Sequence, residues 1–258
     1  MDTLAGQVAI VTGAAQGIGR AIAERLVDDG CVVAVTDRQE SVLDVAAEIG
    51  ATGFVGDVAD AAHVRSVVDG TVAAHGSIDV LINNAGEVKK SGPADDWADA
   101  EADFDRLFDS NTKGAFLFGR AVAPIMADAT RGSLGGNIVN ISTDHVKPCP
   151  DCDRHHGHGA MDIYNAAKWA LNGFTFDWAK SLAKHRVRVN NICMGATDTE
   201  MIRNYFRGDP DPEYVAKWMT PAQIAQIVSE LLAEGRDGRT ANSIGLYAGY
   251  DCVMPPPE

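Results

Sequence analysis

Positive charge is scarce in this sequence. Its 258 residues include 22 lysines and arginines against 36 aspartates and glutamates, a formal net charge of −14 at pH 7. Nucleic-acid phosphates require a basic protein surface, and an anionic membrane face attracts one. We therefore expect neither nucleic acid nor a membrane as a partner.

Long apolar runs and linkers are also lacking. No run approaches the roughly 20 apolar residues of a membrane-spanning helix, and residues 1–6 are too short and polar for a signal peptide. Five cysteines without a secretory signal favour reduced thiols, so we expect a cytoplasmic protein. Because no stretch rich in proline, glycine or serine divides the chain, we expect a single domain over residues 1–258.

What the sequence does contain is a regular alternation of short β-rich runs with helical segments. The runs lie at residues 8–11, 32–36, 53–55, 80–82, 138–141, 187–192 and 244–247. This alternation predicts a parallel sheet with helices on both faces. Ligands of such sheets bind beyond the carboxyl ends of the strands, so the residues that follow each run are the candidates for a site.

The first run leads into a glycine-rich turn, TGAAQGIG, at residues 12–19. Gly13 allows a tight turn, Gly17 lets the backbone approach a pyrophosphate, and Gly19 lets the following helix pack close to the sheet. The G-x-x-x-G-x-G spacing differs from the general dinucleotide fingerprint. Alone, it fits either a nucleotide site or a structural strand–turn–helix.

Acidic residues follow the second and third runs. Asp37 can hydrogen-bond a ribose 2′-hydroxyl and would repel a 2′-phosphate, which favours NAD over NADP. Its neighbour Arg38 suits a phosphate instead. After the third run, Asp57 can accept a hydrogen bond from an adenine amino group while Val58 covers the ring.

Two further polar positions fit a site or ordinary structure. Asn84, Ala85 and Gly86 follow the fourth run and suit a strand end that bends while satisfying buried backbone groups. Residues 104–122 predict one long helix with Asn111 among apolar neighbours, where its amide needs a partner. Asn111 is therefore either a capped or solvated residue or a group that holds a water beneath an active site.

A helix predicted over residues 163–182 carries Tyr164 and Lys168, which lie four apart and project from one face. A free tyrosine has a pKa of about 10, and a nearby ammonium lowers it. The pair suits general acid–base catalysis at an alcohol or a carbonyl. Y-x-x-x-K also occurs as a plain surface pair, but here it follows a strand that ends in the hydroxyls of Ser142 and Thr143.

Together these motifs resemble the short-chain dehydrogenase/reductase family over nearly the whole chain. The resemblance rests on TGAAQGIG, Asp57, NNAG at residues 83–86, Asn111, the hydroxyl after IVNI, and YNAAK at residues 164–168. It implies a Rossmann-type, doubly wound, seven-stranded parallel sheet in one domain. It also implies a nicotinamide cofactor, a small-molecule substrate and a homodimer or homotetramer.

The resemblance implies roles for individual residues as well. Tyr164 would be the acid/base, Lys168 would bind the nicotinamide ribose and lower the tyrosine pKa, and Asn111 would hold a water in a proton relay. Thr143 would polarise the substrate oxygen. The residues predicted to bind the cofactor are Gly13, Gln16, Gly17, Ile18, Gly19, Asp37, Arg38, Asp57, Val58, Asn84, Ala85, Gly86, Tyr164, Lys168, Thr197 and Thr199. Those predicted to bind substrate are Thr143, His145, Tyr164 and Met201.

Three departures from the family pattern stand out. Threonine replaces serine at Thr143, with Ser142 as the fallback, and Met194-Gly195 replaces Pro-Gly. The third departure is an enlarged loop at residues 144–163. It contains Cys149, Cys152, His155 and His158, which have zinc-ligand character. Their spacing is cramped and a distant second ligand pair is lacking, so we predict no metal and a polar loop that faces the substrate.

Residues 200–218 lie where the family has a mobile lid. Their apolar members would cover a mostly apolar substrate, or else would form a helix pair with a core-facing stripe; they are Met201, Ile202, Tyr205, Phe206 and Trp218. The C-terminal tail, from Met254 through residues 255–257, is predicted to be extended and able to cross a subunit boundary.

The sequence therefore predicts an NAD-dependent oxidoreductase that interconverts a secondary alcohol and a ketone. One alternative is an NADPH-dependent ketone or imine reductase that uses Arg38. Another, from a different class, is a catalytically idle nucleotide-binding scaffold.

Overall fold

The fold is one parallel sheet. The computed structural model describes residues 4–128, 130, 135–147, 160–206 and 210–256. Its strands are β1 (Val8–Thr12), β2 (Val32–Asp37), β3 (Thr52–Val55), β4 (Val80–Asn83), β5 (Gly136–Thr143), β6 (Val187–Met194) and β7 (Ser243–Leu246). Within the described ranges these seven strands pair in the order β3-β2-β1-β4-β5-β6-β7. The predicted Rossmann-type sheet is confirmed.

Helices connect the strands. They are α1 (Gly17–Asp28), α2 (Val42–Ile49), α3 (Ala61–His75), α4 (Trp97–Phe108), α5 (Gly114–Met126), α6 (Asp162–Leu182), α7 (Glu200–Tyr205), α8 (Pro212–Val215) and α9 (Pro221–Ala233). Short 3₁₀ turns span Asp144–Val146 and Ala183–His185. Of the helices in the described part of the chain, none is long and apolar enough to cross a bilayer.

Helices pack on both faces of the sheet because successive strand residues point to opposite sides. Along β1, Ala9 and Val11 pack in a core with α1, α2 and α9, whereas Ile10 packs in a second core with α3, α5 and α6. Both cores are mainly apolar, so the central strands β1 and β4 are buried along their whole length and read as hydrophobic runs rather than as alternating ones. The predicted cover of helices on both faces is confirmed.

The long helix predicted over residues 104–122 is wrong in one respect. A π-helical turn at Asp109–Lys113 separates α4 from α5. At this turn the Asn111 amide nitrogen donates to the carbonyl oxygens of Leu107 and Glu87, both at 2.9 Å. A side chain that bonds a carbonyl four residues earlier competes with the helix ladder, and this accounts for the interruption.

A chain of buried polar side chains crosses the second core. Asn83 at the end of β4 donates to Asn140 on β5 at 2.9 Å, and Asn140 donates to the Thr175 hydroxyl on α6 at 2.9 Å. The Thr175 hydroxyl donates in turn to the Leu171 carbonyl at 2.8 Å. Two strands and α6 are thereby joined by side-chain hydrogen bonds.

Candidate active site

A cavity of about 550 Å³ opens beyond the carboxyl ends of the strands. This is the edge where ligands bind in open α/β sheets, beside the point at which the strand order reverses between β1 and β4. Most predicted site residues line it: Gly13, Gln16, Gly17, Ile18, Asp37, Arg38, Asp57, Val58, Asn84, Ala85, Gly86, Asn111, Tyr164, Lys168, Thr199 and Met201. The structure thus brings the glycine turn and the Tyr164–Lys168 pair to one cavity.

The glycine turn after β1 is tightly packed against the end of β4. Gly13 has φ +67°, and a Cβ there would lie 2.7 Å from the Cα of Ala85. At Gly19, a Cβ would overlap the carbonyl oxygen of Gly13 and the side chain of Asn84. Gly19 does not itself line the cavity. Its role is to let α1 approach the turn, so that the N-terminus of α1 opens on the cavity.

Thr12, which none of the sequence motifs pointed to, joins this turn to the residues that follow β4. Its hydroxyl accepts from the backbone nitrogens of Asn84 and Ala85, both at 3.0 Å. The Asn84 amide nitrogen donates back to the carbonyl oxygens of Thr12 at 2.9 Å and Gly13 at 3.0 Å. Its position directly before Gly13 could have predicted this role, since a hydroxyl at a strand end can bond the backbone of a neighbouring turn.

The groups predicted to select the cofactor lie beside each other. Asp37 is buried, and its carboxylate accepts from the backbone nitrogens of Ala15 at 3.1 Å and Gln39 at 3.0 Å. The Arg38 side chain is 62% exposed and forms an ion pair with Glu87 at 2.6 Å. The carboxylate of Asp37 is therefore fixed in place, and Arg38 already has an acidic partner.

Asp57 and Val58 form another wall. The Asp57 carboxylate accepts from the backbone nitrogen of Ala59 at 2.8 Å, and Val58 is buried. Val58 packs so closely on α5 that a Cβ at Gly114 would lie 2.5 Å from its methyl group. Both residues line the cavity, as predicted.

Tyr164 and Lys168 meet the end of β5. Tyr164 is partly exposed, whereas Lys168 is only 5% exposed. The Lys168 ammonium donates to the carbonyl oxygen of Ile141 at 3.0 Å and lies 5.8 Å from the centroid of the Tyr164 ring. The ammonium is thus oriented by the strand backbone, close to the phenol ring.

The pKa of Tyr164 is raised overall, so burial outweighs the lowering predicted from Lys168. Burial raises the pKa of Tyr164 well above its usual range, a hydrogen bond with Thr143 opposes that rise, and the charge of Asp144 adds to it. Burial also lowers the pKa of Lys168 to about 8. Desolvation dominates both groups because it penalises a phenolate and an ammonium alike.

The hydroxyls at the end of β5 point to different partners. Ser142 donates to the carbonyl oxygen of Lys168 at 3.4 Å. The Thr143 hydroxyl donates to the Asp144 carboxylate at 3.3 Å and accepts from the backbone nitrogen of His145 at 3.4 Å. Ser142 borders the cavity, whereas Thr143 is outside its lining. Of the two hydroxyls, that of Thr143 acts on the pKa of Tyr164, and the choice of Thr143 over Ser142 stays a prediction.

Asn111 leaves one buried acceptor open. It is 1% exposed, and within the described residues its Oδ1 has no hydrogen-bond partner. A Cβ at Gly86 would lie 2.5 Å from this oxygen and 3.2 Å from the Lys168 nitrogen. The open acceptor and the ammonium therefore border the same spot. A buried acceptor of this kind calls for a partner such as a water.

The remaining predicted residues separate into two groups. Thr199 lines the cavity and caps α7 by accepting from the backbone nitrogen of Ile202 at 3.3 Å. Thr197 is buried outside the cavity lining, where its hydroxyl donates to Gly195 at 3.2 Å. His145 also lies outside the lining, with its ring edge-on to Tyr164 at a centroid distance of 6.5 Å.

The predicted lid is only partly a cover. Met201 and Tyr205 line the cavity together with the polar residues Glu200 and Asn204. Trp218, predicted to cover the substrate, is instead 8% exposed and stacks on Phe206 at 5.7 Å. At Trp218 the alternative of a packed apolar stripe therefore fits better, because the aromatic rings of this segment pack on one another.

Two further predictions concern the cysteine- and histidine-containing loop and the C-terminal tail. Cys149, Cys152, His155 and His158 lie outside the described residues, and among those described no group of three or more metal-ligating side chains occurs. The tail packs on its own chain: Met254 contacts the core, and Arg239 donates to the Pro255 carbonyl at 2.8 Å. That the tail also crosses a subunit boundary stays a prediction.

The fold and cavity define a Rossmann-type α/β protein whose site lies at the strand ends. Comparison with known proteins is more specific. The model of the short chain dehydrogenase family matches residues 7–210. The cis-2,3-dihydrobiphenyl-2,3-diol dehydrogenase of Pseudomonas sp. is 32% identical over 252 residues, which are 96% of this chain and 84% of that protein. The chain belongs to the short-chain dehydrogenase family of oxidoreductases.

Solved structures agree with this assignment. A short chain dehydrogenase from Burkholderia cenocepacia in complex with NADP is 30% identical, with a TM-score of 0.80 over 96% of this chain and 99% of that chain. A 3-ketoacyl-(acyl-carrier-protein) reductase from Brucella melitensis complexed with NADH is 25% identical, with a TM-score of 0.81 over 95% of this chain and 98% of that chain. Similar proteins thus bind either form of the cofactor.

Proposed function

We propose that the protein is an NAD-dependent oxidoreductase that interconverts a secondary alcohol and a ketone. The observation that carries this proposal is the shared cavity. The phenol of Tyr164 and the ammonium of Lys168 border the same space as the glycine turn at Gly13 and the carboxylate of Asp37. A general acid–base pair beside a dinucleotide site is the arrangement that hydride transfer at an alcohol carbon requires.

The residues present fit a nicotinamide dinucleotide. A Cβ at Gly17 would lie 3.3 Å from the Thr199 side chain, so glycine keeps open the space between these two cavity-lining residues. The open Oδ1 of Asn111 lies close to Lys168, since both border the position of a Cβ at Gly86. The glycine turn and the start of α1 would hold the pyrophosphate. Asp37 would bind the ribose 2′-hydroxyl, Lys168 the nicotinamide ribose, and Thr199 the carboxamide. Asp57 and Val58 would hold the adenine.

The chain's own residues would handle the proton. A bound nicotinamide would supply the hydride acceptor in oxidation and the hydride donor in reduction. In oxidation the Tyr164 phenolate accepts the hydroxyl proton and becomes the neutral phenol, and before that transfer the Lys168 ammonium stabilises the phenolate. The Thr143 hydroxyl holds the substrate oxygen. The open acceptor on Asn111 holds a water that passes the proton onward.

The preference for NAD rests on charge. A 2′-phosphate would approach the buried carboxylate of Asp37, and Arg38 is already paired with Glu87. Since Arg38 is largely exposed at the cavity wall, an NADPH-dependent reductase is the second candidate. Comparing kcat/KM for the two cofactors separates them, and a strong preference for NADPH would reverse our choice.

The test of the proposal is a panel of secondary alcohols with NAD. It should include aryl, cyclic, steroid and terpenoid alcohols, and vicinal diols because a relative is named for one. Burial raises the pKa of Tyr164, so the phenolate fraction and the oxidation rate should grow as the pH rises above neutrality. The absorbance of NADH reports turnover. No turnover with any member, with either cofactor and in either direction, would favour the idle scaffold.

The Thr143 hydroxyl should matter more than that of Ser142. Thr143→Val removes a neutral hydrogen bond at constant shape and is expected to lower kcat/KM by about tenfold. Thr143→Ser keeps the hydroxyl and should retain activity, and Ser142→Ala should change kcat/KM by less than about threefold. Steady-state kinetics on the three variants checks this. A larger loss in the Ser142 variant would transfer the role to Ser142.

We further propose a cytoplasmic homodimer or homotetramer. Helices α4, α5 and α6 each expose aromatic rings, namely Phe104, Phe116, Trp169 and Phe176. Large apolar side chains on a surface favour contact with another protein surface, and a second copy of the chain is the partner that the family resemblance implies.

A further inference from the structure

An ion pair crosses the front of the glycine turn. Arg38 follows β2 and Glu87 follows β4, and β1 lies between these two strands in the sheet. The Arg38 Nη1 and Glu87 Oε1 atoms are 2.6 Å apart, although the residues are 49 positions apart in sequence. Both residues line the cavity. The pair therefore bridges the two loops that flank the turn after β1.

Glu87 faces a second guanidinium as well. Its other carboxylate oxygen, Oε2, lies 3.5 Å from Nε of Arg106, which extends from α4 and also lines the cavity. The Glu87 side chain is 18% exposed, whereas Arg38 and Arg106 are 62% and 52% exposed. One largely buried carboxylate thus faces two exposed guanidinium groups on the cavity wall.

The backbone of Glu87 is anchored independently of its charge. Its carbonyl oxygen accepts from the Asn111 amide at 2.9 Å. Removing the side-chain charge leaves this bond in place. The electrostatic contribution of Glu87 can therefore be tested apart from its structural one.

The two nicotinamide dinucleotides differ by one phosphate on the adenosine ribose. An arginine fork is well suited to bind such a phosphate. Arg38 follows Asp37, the residue predicted to bind this ribose. The Arg38 guanidinium, however, forms an ion pair with Glu87. A site can reject a ligand by keeping an attractive group away from it and by placing a repulsive group near it. Glu87 keeps Arg38 engaged, and its own negative charge repels a phosphate.

We propose that Glu87 is a specificity-determining residue, which selects a cofactor with a free 2′-hydroxyl by engaging Arg38 and by repelling a 2′-phosphate. This inference rests on the proposed function, in which the cavity holds a nicotinamide dinucleotide. It adds to the effect of Asp37, because the two carboxylates act from the ends of different strands.

The test measures binding without turnover. Calorimetry compares ADP-ribose with 2′-phospho-ADP-ribose on the wild-type protein and on Glu87→Gln. Freeing a charged donor for the phosphate is expected to shift the affinity ratio toward the phosphorylated ligand by about tenfold. Between Arg38→Gln and the double variant Arg38→Gln/Glu87→Gln the shift should be smaller, because only the repulsion between Glu87 and the phosphate is then removed.

Asp103→Asn is the matched control. Asp103 forms ion pairs with Lys89 and Arg106, lies outside the cavity lining, and carries the same charge as Glu87. Its loss changes the net charge equally but leaves the Arg38–Glu87 pair intact, so the affinity ratio should stay within about twofold of wild type. Should the amide variant at Glu87 be unfolded, Glu87→Ala removes the same charge and must shift the ratio in the same direction.

The outcomes separate the inference from the proposed function. If wild type binds ADP-ribose and both Glu87 variants leave the ratio unchanged, Glu87 does not set specificity. An equal shift in the Asp103 control would assign the effect to net charge and would also overturn the inference. If wild type binds neither ligand, the proposed nucleotide site itself is wrong.

Discussion

Replacing Tyr164 with phenylalanine is expected to lower kcat by about 10²- to 10⁴-fold, the usual contribution of a positioned acid or base. The change removes the oxygen that exchanges the proton and keeps the ring that packs at the end of β5. Affinity for NADH should stay nearly unchanged. Single-turnover kinetics with the best substrate of the panel measures the first effect, and fluorescence titration with NADH measures the second.

Tyr205→Phe is the control for this experiment. Tyr205 also lines the cavity, but it belongs to the lid rather than to the acid–base pair. Its variant should alter KM more than kcat. If Tyr164→Phe turned over at a wild-type rate, Tyr164 would not be the acid/base, and a loss of NADH binding would show that its role had been misassigned.

The second large effect is expected at Gly19. Gly19→Ala places a methyl group onto the carbonyl oxygen of Gly13 and the side chain of Asn84. Because the backbone cannot move without disturbing its neighbours, the turn must shift. Overpacking of this kind lowers the free energy of unfolding by about 1–3 kcal/mol. We expect dinucleotide affinity to fall by roughly 100-fold. Equilibrium titration with NADH checks this, together with the free energy of unfolding.

Gly173→Ala offers a control of opposite sign. Gly173 lies on α6, is exposed, and a Cβ there meets no atom within 4 Å among the described residues. Because Gly173 lies one helical turn from Trp169 and Phe176, on the surface proposed to contact a second copy, the free energy of unfolding should be compared in the monomer. There alanine should raise it by about 0.5–1 kcal/mol without affecting NADH binding. Normal NADH affinity in Gly19→Ala would mean that the turn does not hold the cofactor.

Much of the site could be predicted because of how parallel sheets are built. All strands end at one edge, so Gly13, Asp37, Asp57 and Asn84 were expected to meet, and all four line the cavity. Helical spacing alone placed Tyr164 and Lys168 on one face. These predictions depend only on local pattern and on a general property of the fold.

What could not be predicted depends on contacts between distant segments. The Arg38–Glu87 pair joins two loops whose proximity follows from the strand order, which the sequence does not state. At the π-helical turn, the Asn111 amide also bonds a carbonyl outside its own helix, at Glu87. The raised pKa of Tyr164 follows from burial, and burial is a property of the packed molecule. Motifs and residue spacing do not contain these long-range contacts or the burial that they produce.

The chain of hydrogen bonds from Asn83 through Asn140 to Thr175 has a consequence for the orientation of Tyr164. Apolar interfaces tolerate sliding, but hydrogen bonds in a dry core are satisfied in one register only. A slip of α6 by one residue would swing its side chains by about 100° around the helix axis, which would turn the phenol away from any ligand at the strand ends. The orientation of Tyr164 and Lys168, the proposed acid–base pair, therefore depends on Asn140, a fully buried amide outside the cavity lining.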